Sequence, residues 1–240
     1  MRGCAIAVMA KSPRPGQVKT RLVPPLSHEA AAALSASFLR DITDNIRLAA
    51  RDIPIAAYVA YAPAGHEAFF DNALAPGTEL VLADGTGVAA PGVEGFGRPL
   101  LEAAQKLFAR GHDSVCLLNS DSPTLPTAAL VRAARALAAP GDRIVLGPAE
   151  DGGYYVIGMK AAHARLFERI AWSTASVAAE TRRRVAELGL PLTELEPWYD
   201  VDDAASLARL CRELTLGAAG PYPAPVTANC IARLKIRDAA

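Results

Sequence analysis

This chain carries no excess of charge. Across 240 residues, 25 lysines and arginines offset 25 aspartates and glutamates. General nucleic-acid binding needs a basic footprint, so that class is set aside. No apolar run is long enough to span a bilayer. The opening Met-Arg-Gly-Cys-Ala-Ile-Ala-Val-Met-Ala has too short an apolar part for a leader, and reads as a first core strand. The four cysteines, at 4, 116, 211 and 230, form no Cys-x-x-Cys pair, and the four histidines are scattered without ligand spacing. A zinc site is therefore not expected, and the protein reads as reduced and cytoplasmic.

What is present is half hydrophobic sequence, enough for a full core. Strand-like runs alternate with helical patterns. Strands are expected at Ala5–Met9, Ile55–Tyr61, Glu79–Ala83, Val115–Leu118, Ile144–Leu146, Tyr154–Met159 and near Leu192. Helices are expected at His28–Ala50 behind a Ser27 N-cap, around Glu67–Leu74, and at Arg98–Arg110 and Thr127–Ala138. Three more are expected near 161–169, 175–188 and Asp203–Leu214. The alternation predicts an α/β fold, a three-layer α/β/α sandwich on a mainly parallel sheet. One domain over 1–216 is expected, with 217–240 as a C-terminal tail packing on it.

Several segments could carry chemistry. The buried run Val115–Leu118 breaks into Asn119, Ser120 and Asp121, placing a carboxylate at the C-terminal edge of a strand. Open α/β sheets bind ligands outside that edge. A lone carboxylate there suits Mg²⁺, usually held by one or two carboxylates plus substrate phosphates. The same residues also suit a plain strand-end turn. The loop after the first strand gathers Lys11, Arg14, Lys19 and Arg21, a pattern that suits phosphate. It has neither Walker nor Gly-x-Gly-x-x-Gly spacing. Asp151, Gly152 and Gly153 precede a strand; they could form a hairpin turn, or Asp151 could accept a hydroxyl proton. Asp200, Asp202 and Asp203 precede a helix. One of them can cap it, which leaves a carboxylate of the Asp-x-Asp pair for a metal. The Gly-rich connection 84–97 reads as a mobile flap.

These elements, with Trp-Ser-Thr at 172–174, resemble in order a bacterial family of GT-A-type nucleotide-diphospho-sugar transferases. Members are described as glycosyltransferases or as radical-SAM/selenodomain-associated transferases. The segment Lys-Thr-Arg-Leu at 19–22 is also similar to phospholactate guanylyltransferases. The resemblance covers about the first 215 residues. It implies a GT-A fold with Asp121 and Asp202 as metal carboxylates, and Mg²⁺ or Mn²⁺ as cofactor. It implies that Lys19 and Arg21 hold phosphates with Lys11 and Arg14 in support, and that Asp151, Gly152 and Gly153 face the acceptor or sugar. Asp151 and Lys19 are the candidate catalytic residues. The expected activity is metal-dependent transfer from a nucleotide diphosphate-sugar to a small acceptor. Nucleotidyl transfer, with attack on the α-phosphate of a nucleoside triphosphate and pyrophosphate release, is an alternative. A non-catalytic nucleotide-binding protein is a third.

Overall fold

The computed structural model describes residues 3–88, 90–215 and 222–236. Seven strands form one sheet: β1 (Cys4–Lys11), β2 (Ile55–Ala62), β3 (Glu79–Leu82), β4 (Ser114–Leu118), β5 (Ile144–Pro148), β6 (Tyr154–Met159) and β7 (Leu192–Glu194). Their order is β3-β2-β1-β4-β6-β5-β7. β6 alone runs against its neighbours, antiparallel to both β4 and β5. The other pairings are parallel.

Among the described residues six α-helices complete the layers: α1 (His28–Ala49), α2 (Gly97–Ala109), α3 (Thr127–Ala138), α4 (Val177–Glu187), α5 (Ala204–Thr215) and α6 (Pro225–Leu234). Side chains alternate along β1 between the two cores. Cys4, Ile6, Val8 and Ala10 join the core that holds α1, α3, α5 and α6. Ala5, Ala7 and Met9 join the core under α2 and α4. A strand covered on both faces needs this near-continuous apolar run. The cysteines are all buried, and none is in a disulfide.

Local signals explain several boundaries. The Ala30 amide donates to Ser27 Oγ at 3.1 Å, which starts α1. Asp203 starts α5, its carboxylate accepting from the Ser206 amide at 2.8 Å. The expected helices near 67–74 and 161–169 shrink to single 3₁₀ turns, Glu67–Phe70 and Ala164–Phe167. The C-terminal tail, where the sequence pattern predicts no helix, contains α6, which packs on α1 and buries Cys230 and Ile231. The amides of Val226 and Thr227 donate to the buried Asp41 carboxylate at 3.1 and 2.6 Å, so a distant side chain caps this helix. Among the described residues no helix is long and apolar enough to cross a membrane.

Candidate active site

Topology gathers the motifs at one edge of the sheet. Parallel strands present their C-terminal ends together, so the segments after β1, β2, β3 and β4 share that edge. β6 is reversed, so the hairpin turn before it, with Asp151, Gly152 and Gly153, lands there too. The chain after β7 pairs Trp198 with Ala149 in a parallel bridge and passes the same place. The result is a cleft of about 900 Å³ lined by the ends of β1 and β2, the segments after β1, β3, β4 and β7, and the turn before β6.

The centre of the cleft is a charged knot. The Val201 amide donates to the Asp121 carbonyl at 2.9 Å, and Ser122 Oγ donates to the Tyr199 carbonyl at 3.0 Å. This backbone zipper brings the end of β4 beside the segment before α5. Between the two carboxylates lies Lys19. Its Nζ is 2.5 Å from Asp121 Oδ1, 3.0 Å from Asp202 Oδ1 and 2.6 Å from the Val201 carbonyl oxygen. The Lys19 side chain is only 5% exposed. Burial alone would push its ammonium down, but Asp121 and Asp202 outweigh burial and hold its pKa above the usual lysine value.

The donor set fits a divalent cation. Two carboxylates and a carbonyl converge on one cation position, and Mg²⁺ commonly takes one or two carboxylates with phosphates and water completing the shell. No group of three or more His, Cys, Asp or Glu suited to a metal ion occurs among the described residues.

The other expected residues divide. Lys11, Lys19, Arg21, Asp121, Asp151, Gly153 and Asp202 line the cleft. Arg14 does not: its guanidinium approaches His66 Nε2 at 3.3 Å and lies 5.2 Å from the Phe69 ring centroid. Gly152 is also turned away, its α-carbon covered by the Ala175 backbone. Asp151 Oδ1 accepts from the Gly153 amide at 2.8 Å, which holds the carboxylate at the cleft wall.

The connection 84–97, read from sequence as a mobile flap, is tied to the fold at several of its described residues. The Gly85 amide donates to the buried Glu102 at 2.7 Å, Arg98 Nε donates to the Gly85 carbonyl at 2.9 Å, and the Arg169 amide donates to the Gly92 carbonyl at 2.9 Å. Val88 and Val93 are buried. Gly95 and Gly97 lie so close to Trp172 that a Cβ at either would stand 3.1 Å from its ring. Phe96, 48% exposed, meets Trp172 edge-on, and both line the cleft. Neither had been given a role from the sequence; the Trp-Ser-Thr motif was the available signal.

Asp200 is the other member of the Asp-x-Asp pair, whose carboxylates the sequence offers to a cap or a metal. Burial, then the charges of Asp151, Asp202 and Asp121, pushes it up to about 7. Its spacing from Asp202 was the signal. The folded protein keeps a proton on Asp200 that the unfolded chain releases near 3.8. Stability from this group is therefore present at low pH and falls away as pH rises to about 7. Asp200→Asn in metal-free buffer is expected to raise Tm, and to raise it more at pH 8 than at pH 5. The extra gain, discounted for partial exposure, is about 3 °C, since one kcal/mol moves Tm by roughly 2–4 °C in a chain of this size. Melting curves at the two pH values decide it; an equal gain at both would remove the raised pKa.

The chain belongs to a family described as an uncharacterized protein conserved in bacteria (DUF2064), which matches residues 45–174. Among solved structures, one from Desulfovibrio desulfuricans G20, provisionally described as a nucleotide-diphospho-sugar transferase, is 26% identical with a TM-score of 0.79. The alignment covers 98% of this chain and 97% of that one. A cytidylyltransferase from Leptospira borgpetersenii serovar Hardjo-bovis is 10% identical with a TM-score of 0.58, covering 97% and 95%. CMP:2-keto-3-deoxy-manno-octonic acid synthetase, solved with CTP, is 13% identical with a TM-score of 0.55, covering 90% and 99%. These two share the fold. No curated protein sequence matches the chain.

Proposed function

We propose that this member of the DUF2064 family is a divalent-cation-dependent transferase that takes a nucleotide diphosphate-sugar and passes the sugar to a small acceptor. The observation that carries this reading is the single cation position shared by Asp121, Asp202 and the Val201 carbonyl, in the same cleft as Lys11 and Arg21. The likeness to the Desulfovibrio protein supports the donor class. A cleft of about 900 Å³ leaves room for a nucleotide and a second reactant.

In this reading Lys11 and Arg21 neutralise phosphate oxygens of the donor. Asp121 and Asp202 would hold Mg²⁺ or Mn²⁺, which when bound neutralises charge on the departing diphosphate. Asp151 accepts the proton of the attacking acceptor hydroxyl, and Gly153 leaves space for the acceptor beside it. Phe96 and Trp172 supply an apolar wall that keeps water from one side of the cleft. The localisation that goes with a nucleotide-dependent enzyme is the cytoplasm.

A second reading is nucleotidyl transfer. The basic loop favours it: Lys11 and Arg21 line the same cleft, and cationic side chains there suit a triphosphate and its pyrophosphate leaving group. Here an acceptor phosphate or carboxylate attacks the α-phosphorus.

The test is a panel of nucleoside triphosphates and nucleotide diphosphate-sugars, each with and without Mg²⁺ or Mn²⁺. Thermal shift is read first and product analysis second. Ligand at 100 times Kd stabilises the protein by about 2.7 kcal/mol, which is roughly 5–11 °C here. A metal-dependent shift with a nucleotide-sugar, followed by release of nucleoside diphosphate, is the expected result. Pyrophosphate release from a triphosphate would install the second reading. No metal-dependent response to either set would overturn both and leave a non-catalytic binding protein.

A further inference from the structure

Lys19 does not behave as one more member of a basic loop. Its backbone is in the left-handed region, with φ 49° and ψ 35°, which a side chain adopts only when its surroundings require it. The ammonium lies 5.3 Å from the centroid of Phe38, a fully buried ring of α1. An ammonium has three N–H donors, and three oxygens stand within 3.0 Å: Asp121 Oδ1, Asp202 Oδ1 and the Val201 carbonyl. All of its donors are therefore used. The position is built, and it is the position a divalent cation held by those two carboxylates would need.

We infer that Lys19 is the resident cation of this site, and that a divalent ion is admitted only together with a polyphosphate. An ion arriving alone meets an ammonium already bound to the oxygens it requires, and like charge repels it. An ion carrying phosphate brings replacement acceptors for the Lys19 N–H groups. The ammonium then moves to a phosphate oxygen, and Asp121 and Asp202 turn to the metal. Lys11 and Arg21, on the walls of the same cleft, hold the phosphate close enough for that exchange. Lys19 also keeps the two carboxylates together when no ligand is bound, which a pair of bare anions would resist. The inference deepens the proposed function by giving its site an order of assembly. It rests on the metal part of that reading and on neither choice of transferred group.

The test follows Mn²⁺ binding to the full chain by the electron spin resonance of the free ion, with no nucleotide and no turnover. Lys19→Met and Lys19→Gln are compared with the wild type after a melting curve shows that each is folded. The expected result is at least about tenfold tighter Mn²⁺ binding in either variant than in the wild type. Inorganic pyrophosphate, corrected for its own Mn²⁺ complex, should tighten binding to the wild type at least about tenfold and to the variants much less. The wild-type arm stands alone if neither variant folds. Equal Mn²⁺ affinity in wild type and variants, or a wild-type affinity indifferent to pyrophosphate, would overturn the inference. Mn²⁺ binding by none of the proteins under either condition would overturn it together with the metal reading. The outcome is independent of the substrate panel: nucleotide transfer could fail there while the pyrophosphate effect here persists.

Discussion

Asp121→Asn is expected to lower turnover of the preferred nucleotide substrate by about 10²–10³-fold while the protein stays folded. A unit charge about 4 Å away at an effective dielectric of 20 is worth about 4 kcal/mol, and partial exposure of this carboxylate reduces that to roughly 3–4. Each 1.36 kcal/mol is a factor of ten in rate. The side chain keeps its size, and Lys19 keeps Asp202 and the Val201 carbonyl as partners, so the zipper between β4 and the segment before α5 survives. Tm should fall by no more than about 5 °C, the effect of one or two kcal/mol. Asp203→Asn is the matched control. Asp203 caps α5, and asparagine caps a helix as well as aspartate does, so that variant should keep turnover within about threefold. Steady-state kinetics and melting curves on both proteins settle the point. Turnover by Asp121→Asn near the wild-type rate would remove Asp121 from the cation site.

The contrast between Asp121 and Asp203 also shows where the sequence was informative. A five-residue buried strand followed by Asn-Ser-Asp can be recognised from local pattern alone, and so can an Asp before an amphipathic helix. The sequence leaves open whether Asp202 or Asp203 caps that helix; the structure puts Asp203 on the Ser206 amide and Asp202 in the cleft. Strands β1, β4, β5 and β6 are visible from local pattern in the same way: their burial leaves continuous apolar runs. The hairpin reading and the site reading of Asp151–Gly153 turn out to be compatible, because the reversal of β6 puts a hairpin turn at the ligand edge.

What was not legible depends on partners far away in the chain. Nothing local says that Asp41 will cap a helix 185 residues later, so α6 stayed unassigned. Nothing local says that Glu102 will meet Gly85 and Gly87, or that Trp172 will meet Gly95 and Gly97. Lys19 reads from sequence as one of four cations in a loop; its left-handed backbone and its place against Phe38 are tertiary facts. Arg14 shares that loop, and the turn that delivers Lys19 to the cleft sends Arg14 to His66 instead. Charge counted along the sequence could not separate the two.

Gly152→Ala carries the largest expected effect on stability, and it tests how the acceptor side of the cleft is held. Gly152 has φ +92°, and a Cβ there would lie 2.2 Å from the carbonyl oxygen of Ala175 and 2.7 Å from its carbonyl carbon and Cα. These are backbone atoms, so no rotamer change relieves the contact. The segment is also pinned from both sides: the Ala178 amide donates to the Gly152 carbonyl at 2.9 Å, and the Gly152 amide donates to the Ala149 carbonyl at 3.2 Å. Left-handed strain costs about 1–3 kcal/mol and overpacking a further 1–3, for a loss of about 3–5 and a fall in Tm of roughly 6–20 °C. Gly141→Ala separates the two contributions. Gly141 has nearly the same angle, φ +83°, with nothing within 4 Å of its Cβ position, so only the strain of about 1–3 kcal/mol applies and Tm should fall by roughly 2–12 °C. If Gly152→Ala melted no lower than Gly141→Ala, the turn before β6 would be free of Ala175. The wall that presents Asp151 and Gly153 would then have to be held by something other than its contact with the start of α4.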